Sequence, residues 1–298
     1  MVRSKGKVEY AVNKEDEGEK VSARSCTTKL RALATRENAW SCFLFTLCFF
    51  PVLMALYILF FGHIHAQLNY SQKYPDNQVY DDSGRRIYRT VYFGDSLIYN
   101  SDRDYAFITK ELNTLGQLWP SAAFDAVDAG IGGNTVSKLL ARIDKDVLAH
   151  NPDCVIVYFD SDASDINSAR DASVKEDYEA NMRLMLGILT KRTPCVGLGG
   201  PTIYGEFPRG SGLNPRDDIY EDYVAINERV AAQYNVTYWH TRDAFFAAIP
   251  SGWMANEGWL TQDGEHHNAD GVAIISKFFI EFLVTKYTQI IGISPKFT

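Results

Sequence analysis

The sequence predicts an α/β domain with helices on both faces of a parallel sheet, preceded by one transmembrane helix. Two observations predict this class. Five short apolar runs alternate with amphipathic stretches over the larger, C-terminal part of the chain, which is the pattern of a parallel sheet. One uncharged segment near the N-terminus is much longer than any of these runs. The composition of the 298 residues, 46% hydrophobic and 22% charged, excludes collagen, a wholly disordered chain and a polytopic membrane protein.

The long apolar segment covers residues 39–61 and contains no charged side chain. As a helix it would be about 34 Å long, enough to cross a hydrocarbon core of about 30 Å. Pro51 falls in its middle, which a transmembrane helix tolerates. Trp40 and Tyr57 lie near its two ends, as aromatic residues at membrane interfaces do. The segment therefore predicts a membrane-spanning helix.

The charges around this segment predict its orientation. Residues 1–38 hold nine basic and six acidic side chains, a net charge of +3. Because the whole chain has a net charge of −7, the remaining residues carry a net charge of −10. Positive flanks stay in the cytosol, which sends the remainder across the membrane. A cleavable signal peptide is the alternative, but the leader and the apolar core are both too long for one. We expect a type II single-pass protein of the secretory pathway, in the Golgi or at the cell surface, with sequons at Asn69 and Asn235 on the lumenal or extracellular side.

A polar stem, residues 62–88, leads into the alternating region. The sequence predicts strands at 90–93, 126–129, 155–159, 196–198 and 236–239, and helices at 104–118, 135–149, 173–191, 217–233 and 269–286. These elements form one domain, residues 89–286, followed by a C-terminal tail, 287–298. Cys154 and Cys195 each begin a predicted strand, and the sequence leaves open whether they are buried thiols or one disulfide.

Two turns at the ends of this region carry reactive residue types. Gly94-Asp95-Ser96 follows the first strand, where the N-terminus of a helix favours developing negative charge. Read alone, these residues are also compatible with a turn capped by a serine. Asp263 and His266 precede the last helix and are three residues apart, so one loop supplies the carboxylate and imidazole that activate a serine. Read alone, histidines before a helix are often exposed and without function.

Glycines follow the second predicted strand, at Gly130, Gly132 and Gly133. This block, the Gly-Asp-Ser turn and the Asp-x-x-His turn occur in an order that resembles the SGNH or GDSL hydrolase superfamily, over residues 89–286. The resemblance implies a three-layer sandwich with a five-stranded parallel sheet of the flavodoxin-like kind. It also implies catalysis by a serine without any cofactor or metal.

Site roles follow from the same resemblance. Ser96 corresponds to the nucleophile, His266 to the general base and Asp263 to the carboxylate that orients the base. The backbone N–H groups of Ser96 and Gly133 correspond to oxyanion-hole donors. His266 fits better than His267 because of its spacing from Asp263, and Gly133 fits better than the other glycines because it directly precedes the start of the helix.

The block after the third strand departs from the family pattern. The family usually has Gly-x-Asn-Asp there, and its Asn donates a hydrogen bond to the oxyanion. Here Asp162 takes the position of the Asn, between Asp160 and Asp165, and an ionised carboxylate only accepts. Asp162 is either protonated through crowding by the other two, or turned away from the oxyanion, or the sign of lost hydrolysis. The three carboxylates also offer oxygens to Ca²⁺ or Mg²⁺, but their spacing does not match an EF-hand and we expect no metal.

The function that the sequence predicts is a membrane-anchored serine esterase, acting on a small-molecule, glycan or lipid ester. A carbohydrate-binding or scaffold protein on the same fold and an O-acyltransferase are the alternatives. The loop Trp253–Trp259 either stacks on a sugar, lines an acyl pocket or simply packs. The acidic exported part argues against a nucleic-acid partner, which would need a basic face.

Overall fold

The computed structural model describes residues 78–99, 107–165 and 167–296. The strands are β1 (Val79–Tyr80), β2 (Arg86–Gly94), β3 (Ala123–Gly130), β4 (Cys154–Tyr158), β5 (Cys195–Gly199) and β6 (Thr237–Tyr238). The helices are α1 (Ser96–Tyr99), α2 (Phe107–Leu118), α3 (Val136–Asp146), α4 (Ser161–Ser164), α5 (Ala172–Arg192), α6 (Asp217–Gln233), α7 (Thr241–Ala248) and α8 (Ala269–Ile291), with a 3₁₀ turn at Leu148–His150.

Five strands form a parallel sheet in the order β3-β2-β4-β5-β6. Each corresponds to one of the predicted strands, and the alternation of strands and helices is confirmed. The expectation of a purely parallel sheet is wrong, however, because β1 pairs antiparallel with the start of β2 through Val79 and Ile87. The sheet is therefore mixed. β1 lies within the predicted stem, where nothing in the Tyr/Asp-rich sequence marks a strand.

Side chains of the strands alternate between two apolar layers. On β2, Val91 and Phe93 point to one face while Tyr92 points to the other. Buried side chains of α3, α5 and α6 cover the first face, and those of α2, α7 and α8 cover the second. Strands that are buried on both faces read as continuous apolar runs, which is why these five were predictable. The result is a three-layer arrangement with the carboxyl ends of the parallel strands at one edge.

The last helix is longer than the sequence suggested. α8 continues to Ile291 and is capped by Gly292, whose φ is 73°. Residues 287–291, assigned to a tail from the sequence, belong to this helix. Tyr287 is buried and its hydroxyl forms a hydrogen bond of 2.7 Å with the hydroxyl of Thr90 on β2. α7 was not predicted because its eight residues are too few to show a distinct helical period.

Cys154 and Cys195 occupy paired positions on β4 and β5 and form a disulfide, with Cα atoms 4.5 Å apart. Asn235 is exposed just after α6, with a φ of 54°. No helix in the described part of the chain combines the length and apolar character of a membrane span. The predicted cytosolic segment 1–38, the predicted span 39–61 and the sequon at Asn69 lie outside the described residues and remain predictions.

Candidate active site

The turn between β2 and α1 holds Ser96 at the first position of a helix. Gly94 makes this turn possible, because a Cβ there would lie 1.8 Å from the carbonyl oxygen of Tyr158. The following Asp95 is fully buried. Its Oδ2 accepts hydrogen bonds from the N–H groups of Asp160 and Ser161, both at 2.9 Å, and from the Ser161 hydroxyl at 2.6 Å. Asp95 therefore ties the turn that carries Ser96 to the turn after the neighbouring strand, β4.

A tight loop before α8 presents Asp263 and His266. Asp263 Oδ1 accepts the N–H groups of Glu265 and His266, at 3.0 and 2.8 Å, which closes the loop around its own carboxylate. Asp263 Oδ2 lies 2.7 Å from His266 Nδ1. On the other side of the ring, His266 Nε2 lies 2.8 Å from Ser96 Oγ, across 170 positions of sequence. The fold thus brings Ser96, His266 and Asp263 into one hydrogen-bonded line.

The charge on Asp263 is stabilised within this loop. Partial burial alone would raise its pKa, but the hydrogen bonds from the N–H and ring of His266 and from the N–H of Glu265 outweigh that effect and lower it. Asp263 is therefore ionised at neutral pH. An ionised carboxylate on Nδ1 keeps that nitrogen protonated and leaves Nε2 able to accept a proton from Ser96.

The adjacent His267 has a different environment. It is buried, and its ring centroid lies 4.8 Å from that of Phe245 and 5.9 Å from that of Tyr158. Its Nε2 lies 3.2 Å from the hydroxyl of Thr202. Burial lowers the pKa of His267 to about 3, so it stays neutral. Of the two neighbouring histidines, only His266 faces Ser96.

The glycine block lies beside Ser96. A Cβ added to Gly132 would stand 3.7 Å from the Ser96 Cβ, and Gly133 has a φ of 68° that favours glycine. The N–H of Ile131 donates to the carbonyl of Gly94 at 3.1 Å, which joins this loop to the turn before Ser96. The N–H groups of Ser96 and Gly133 donate to no acceptor within the described residues. These two donors belong to the two segments that meet at Ser96.

Asp162 contacts the start of α3. Its Oδ2 accepts the N–H of Val136, the first residue of that helix, at 2.7 Å. Burial raises the pKa of Asp162 to about 7, although the Val136 N–H opposes the shift. Of the three alternatives for this residue, the contact supports a carboxylate turned toward a helix N-terminus, where negative charge is favoured.

Asp160 and Asp165 do not converge with Asp162 on a common point. Asp160 is buried, and its Oδ1 has no hydrogen-bond partner among the described residues. Burial together with the charges of Glu265 and Asp95 raises its pKa well above the ordinary value. Asp165 is exposed, and its pKa is lowered by hydrogen bonds from Ser168 and Asn167. Across residues 78–99, 107–165 and 167–296, no group of three His, Cys, Asp or Glu side chains is arranged to hold a metal ion.

Two residues of the site were not predicted from the sequence. Arg142, on α3, donates to the carbonyl oxygens of Gly94 and Ala129, both at 2.8 Å, and to Asn134 Oδ1 at 2.9 Å. It therefore holds the ends of β2 and β3 and the glycine block together. The other is Glu206, a buried carboxylate that binds the loop before Asp263. No local motif marks either one, because their partners are distant backbone groups.

A serine hydroxyl, an imidazole and a carboxylate in line, beside free backbone N–H donors, are the parts that acyl transfer requires. A model of the GDSL-like lipase/acylhydrolase family matches residues 92–274. The chain belongs to this family. It is accordingly a hydrolase that acts on ester bonds, and the prediction of an esterase is confirmed.

Acetylxylan esterases are among the similar proteins. One from Geobacillus stearothermophilus is 24% identical over 179 residues, which are 58% of this chain and 78% of that esterase. The crystal structure of the acetyl xylan esterase AlAXEase aligns with a TM-score of 0.55 and 24% identity over 65% of this chain and 98% of its own. That of Axe2, an acetylxylan esterase from Geobacillus stearothermophilus, aligns with a TM-score of 0.55 and 22% identity, over 66% of this chain and 94% of its own. These structures support the SGNH hydrolase fold.

Proposed function

We propose that this acylhydrolase is a membrane-anchored serine esterase that forms its acyl-enzyme on Ser96 and removes acetyl groups from a glycan. The observation that carries the catalytic part is the hydrogen-bonded line of Ser96 Oγ, His266 and Asp263, with contacts of 2.8 and 2.7 Å. A serine is a weak nucleophile until a neighbouring base takes its proton, and His266 Nε2 is within reach to do so.

The reaction proceeds in two halves. Ser96 Oγ adds to the ester carbonyl carbon while His266 Nε2 takes the hydroxyl proton, and the tetrahedral intermediate then expels the alcohol, which receives that proton from His266. A water molecule adds to the acyl-serine in the same way, giving up its proton to His266. Collapse releases the carboxylic acid and returns the proton to Ser96 Oγ. Throughout, Asp263 holds the ring and stabilises the imidazolium form.

The oxyanion of each intermediate is bound by the N–H groups of Ser96 and Gly133, which are the free donors beside the nucleophile. Asp162 supplies no third donor in this proposal. Its carboxylate instead anchors Val136, and through it the start of α3 and the adjoining glycine block. One oxyanion-hole donor contributes a factor of about 10²–10³ to turnover. We therefore expect this esterase to turn over more slowly than an enzyme of the same fold that has three donors.

Support for a glycan ester comes from two sources. The similar proteins are acetylxylan esterases by name. In addition, the loop that leads to Asp263 carries Trp253 and Trp259 with ring centroids 5.4 Å apart, and Trp259 is 41% exposed. Exposed indole rings are suited to stacking against the faces of sugar rings. A lipid ester is the substrate class against which this proposal is tested.

The proposed location is the lumenal or extracellular side of a secretory membrane, with the anchor at residues 39–61. Support comes from the charge difference across that segment and from the disulfide between Cys154 and Cys195, since disulfides persist in oxidising compartments. The exposure of Asn235 is compatible with glycosylation there. Asn69 is proposed as a second glycan site.

The test compares the purified full chain with Ser96→Ala on three esters: p-nitrophenyl acetate, an acetylated xylo-oligosaccharide and a long-chain lipid ester. We expect Ser96→Ala to lower turnover by at least about 10⁴-fold on every ester that the wild type hydrolyses. Acetate release should be faster from the oligosaccharide than acid release from the lipid. Unchanged turnover in Ser96→Ala would overturn the proposed nucleophile, and a preference for the lipid would overturn the glycan.

A further inference from the structure

Glu206 lies in the segment between β5 and α6 and has no exposed surface. Its carboxylate faces three consecutive residues of the loop before α8. Oε2 accepts the N–H of Trp259 at 2.8 Å, and Oε1 accepts the N–H groups of Leu260 and Thr261, both at 2.6 Å. The Thr261 hydroxyl donates to Oε1 at 2.8 Å, which is the fourth hydrogen bond to the carboxylate. Successive backbone N–H groups around one anion form a binding concavity, here occupied by a side chain of the same protein.

No basic side chain pairs with Glu206 within the described residues, so these four donors are the groups that stabilise its charge. Burying a carboxylate without a counterion is costly, and the cost is offset only when its oxygens are well hydrogen-bonded. Displacing any of the donors would leave the charge under-solvated. The arrangement therefore strongly resists movement of residues 259–261 relative to Glu206.

The same segment also holds the loop on both sides of Asp263. The N–H of Glu206 donates to the carbonyl of Asn256 at 2.9 Å, and the N–H of Gly205 donates to the carbonyl of Gly264 at 2.6 Å. Thr261, whose N–H and hydroxyl bind Glu206, accepts the N–H of Gly264 on its Oγ1 at 3.2 Å. The chain before Asp263 and the residue after it are thus fixed to one buried segment.

Contacts within this loop also fix the position of His266 relative to residues 261 and 262. Thr261 pairs with His267 as an antiparallel bridge, and the N–H of Gln262 donates to the carbonyl of His266 at 2.7 Å. Asp263 and His266 therefore lie in a short turn whose two ends are paired, and the first end is held by Glu206. A shift of the first end would move the carboxylate and imidazole together, away from Ser96 Oγ.

We infer that Glu206 is a positioning residue for ester hydrolysis: its buried carboxylate, bound to residues 259–261, sets the placement of Asp263 and His266 against Ser96. The inference rests on the proposed roles of those three residues. Misplacing a catalytic group by about 1 Å can cost about 10²-fold in rate without touching the substrate. Glu206 acts through the loop, so its loss should lower kcat and leave KM nearly unchanged.

The test is Glu206→Gln in the purified full chain. Gln keeps the volume but presents an NH₂ group where Oε2 accepted the Trp259 N–H, so two donors face each other and the loop must move. We expect kcat on p-nitrophenyl acetate to fall by about 10–10²-fold with KM changed by less than about threefold. Glu176→Gln is the matched control, because it removes the same charge from an exposed position on α5, outside the catalytic turns and the Trp253–Trp259 loop, and should behave as wild type.

A fluorophosphonate probe separates positioning from unfolding. Misplacement of His266 lowers the rate at which the serine is labelled, while the fraction labelled at completion stays that of the wild type; partial unfolding lowers the final fraction. A folded Glu206→Gln with wild-type kcat and labelling rate would overturn the inference. If the wild type itself shows no Ser96-dependent labelling, the proposed nucleophile fails and the result does not concern Glu206.

If Glu206→Gln does not fold, the variants Thr261→Val and Thr261→Ser test the positioning role of Glu206 instead. Val removes the hydroxyl bond to Glu206, and with it the bond that the same oxygen accepts from Gly264, with little change of shape; Ser retains both. The inference predicts a several-fold fall in kcat for Thr261→Val and none for Thr261→Ser. Equal, wild-type kcat in both folded variants would overturn it.

Discussion

The turns after β2 and β4 lie side by side at the carboxyl edge of the sheet, and each contains a buried aspartate. In the first turn, Asp95 accepts hydrogen bonds from three donors on Oδ2 and from the Leu97 N–H on Oδ1. In the second turn, Asp160 has a buried oxygen with no hydrogen-bond partner in the part of the chain that the structure describes. Asp162, two residues later, has one hydrogen bond from Val136 and a pKa raised to about 7.

The difference separates two kinds of acidic residue near Ser96. Asp95 is saturated with donors and holds the backbone of both turns, so it determines geometry. Asp160 is buried and Asp162 is half-buried, and both have few donors, so their protonation responds to pH and alters the local charge. Substitution of Asp95 should therefore lower both stability and turnover. Replacing Asp160 or Asp162 by an uncharged residue should instead change the pH dependence of stability or turnover.

The largest effect is expected from Asp95→Asn. An amide in place of Oδ2 or Oδ1 turns an NH₂ group toward backbone N–H donors, which breaks the link between the two turns. We expect a loss of about 2–4 kcal/mol in the free energy of unfolding and a fall in kcat/KM of about 10²-fold. Urea unfolding and turnover of p-nitrophenyl acetate measure the two. Ser161→Ala removes one of the donors to Asp95 and should show the same changes at smaller size. If Asp95→Asn had the stability and kcat/KM of the wild type, the proposed difference between the two turns would be wrong.

A smaller effect of opposite sign is expected from Asp162→Asn. The Asn carbonyl oxygen can still accept the Val136 N–H, and its NH₂ group adds a donor without charge. Because the pKa of Asp162 is raised to about 7, its carboxylate is neutral below that pH and becomes charged as pH rises through it. Wild-type kcat/KM should therefore decline above about pH 7, and Asp162→Asn should remove the decline and raise kcat/KM about tenfold at pH 8.

Asp165→Asn is the control for this profile. Asp165 lies on the same turn but is exposed, and its pKa is lowered, so it is charged on both sides of pH 7. Its replacement should leave the shape of the profile unchanged. A lower kcat/KM for Asp162→Asn at every pH would instead mean that the carboxylate has a positive role in the reaction.

The smallest effect is expected from Asp160→Asn, and it concerns stability. The pKa of Asp160 is raised by burial above that of the unfolded chain, so the folded state binds more protons between the two values and loses stability as pH rises through that window. Asp160→Asn should be more stable than the wild type by about 1 kcal/mol at pH 8 and no more stable at pH 4. Thermal unfolding at the two pH values checks this. A destabilised variant at pH 8 would show that the Asp160 charge is well compensated.

Much of the fold was predictable because the central strands are buried on both faces and read as apolar runs. The β1 strand was missed because it consists of two exposed residues, Val79 and Tyr80, at the edge of the sheet, so it has no apolar run. α7 was missed because its segment is too short for a helical period to be distinct. The end of α8 lies beyond the predicted boundary at residue 286, because its buried apolar side continues through Tyr287, Ile290 and Ile291 to the cap at Gly292.

The site divides in the same way. Ser96, Asp263 and His266 each stand in a short local motif, so their residue types and spacing marked them. Glu206 and Arg142 bind backbone groups that are distant in sequence, and such partners leave no pattern in the chain. The direction of Asp162 toward Val136 was one of three alternatives, because only the packing of α3 against the turn after β4 decides between them.

We propose the Ser96 hydroxyl, activated by His266, as the nucleophile of ester hydrolysis. The most direct measurement is the mass of the covalent adduct after fluorophosphonate labelling of the full chain, mapped to a peptide. We expect one adduct per chain, on Ser96, that is absent from Ser96→Ala and forms more slowly in His266→Ala. Ester turnover by a wild type that carries its adduct on another residue, or carries none, would contradict it.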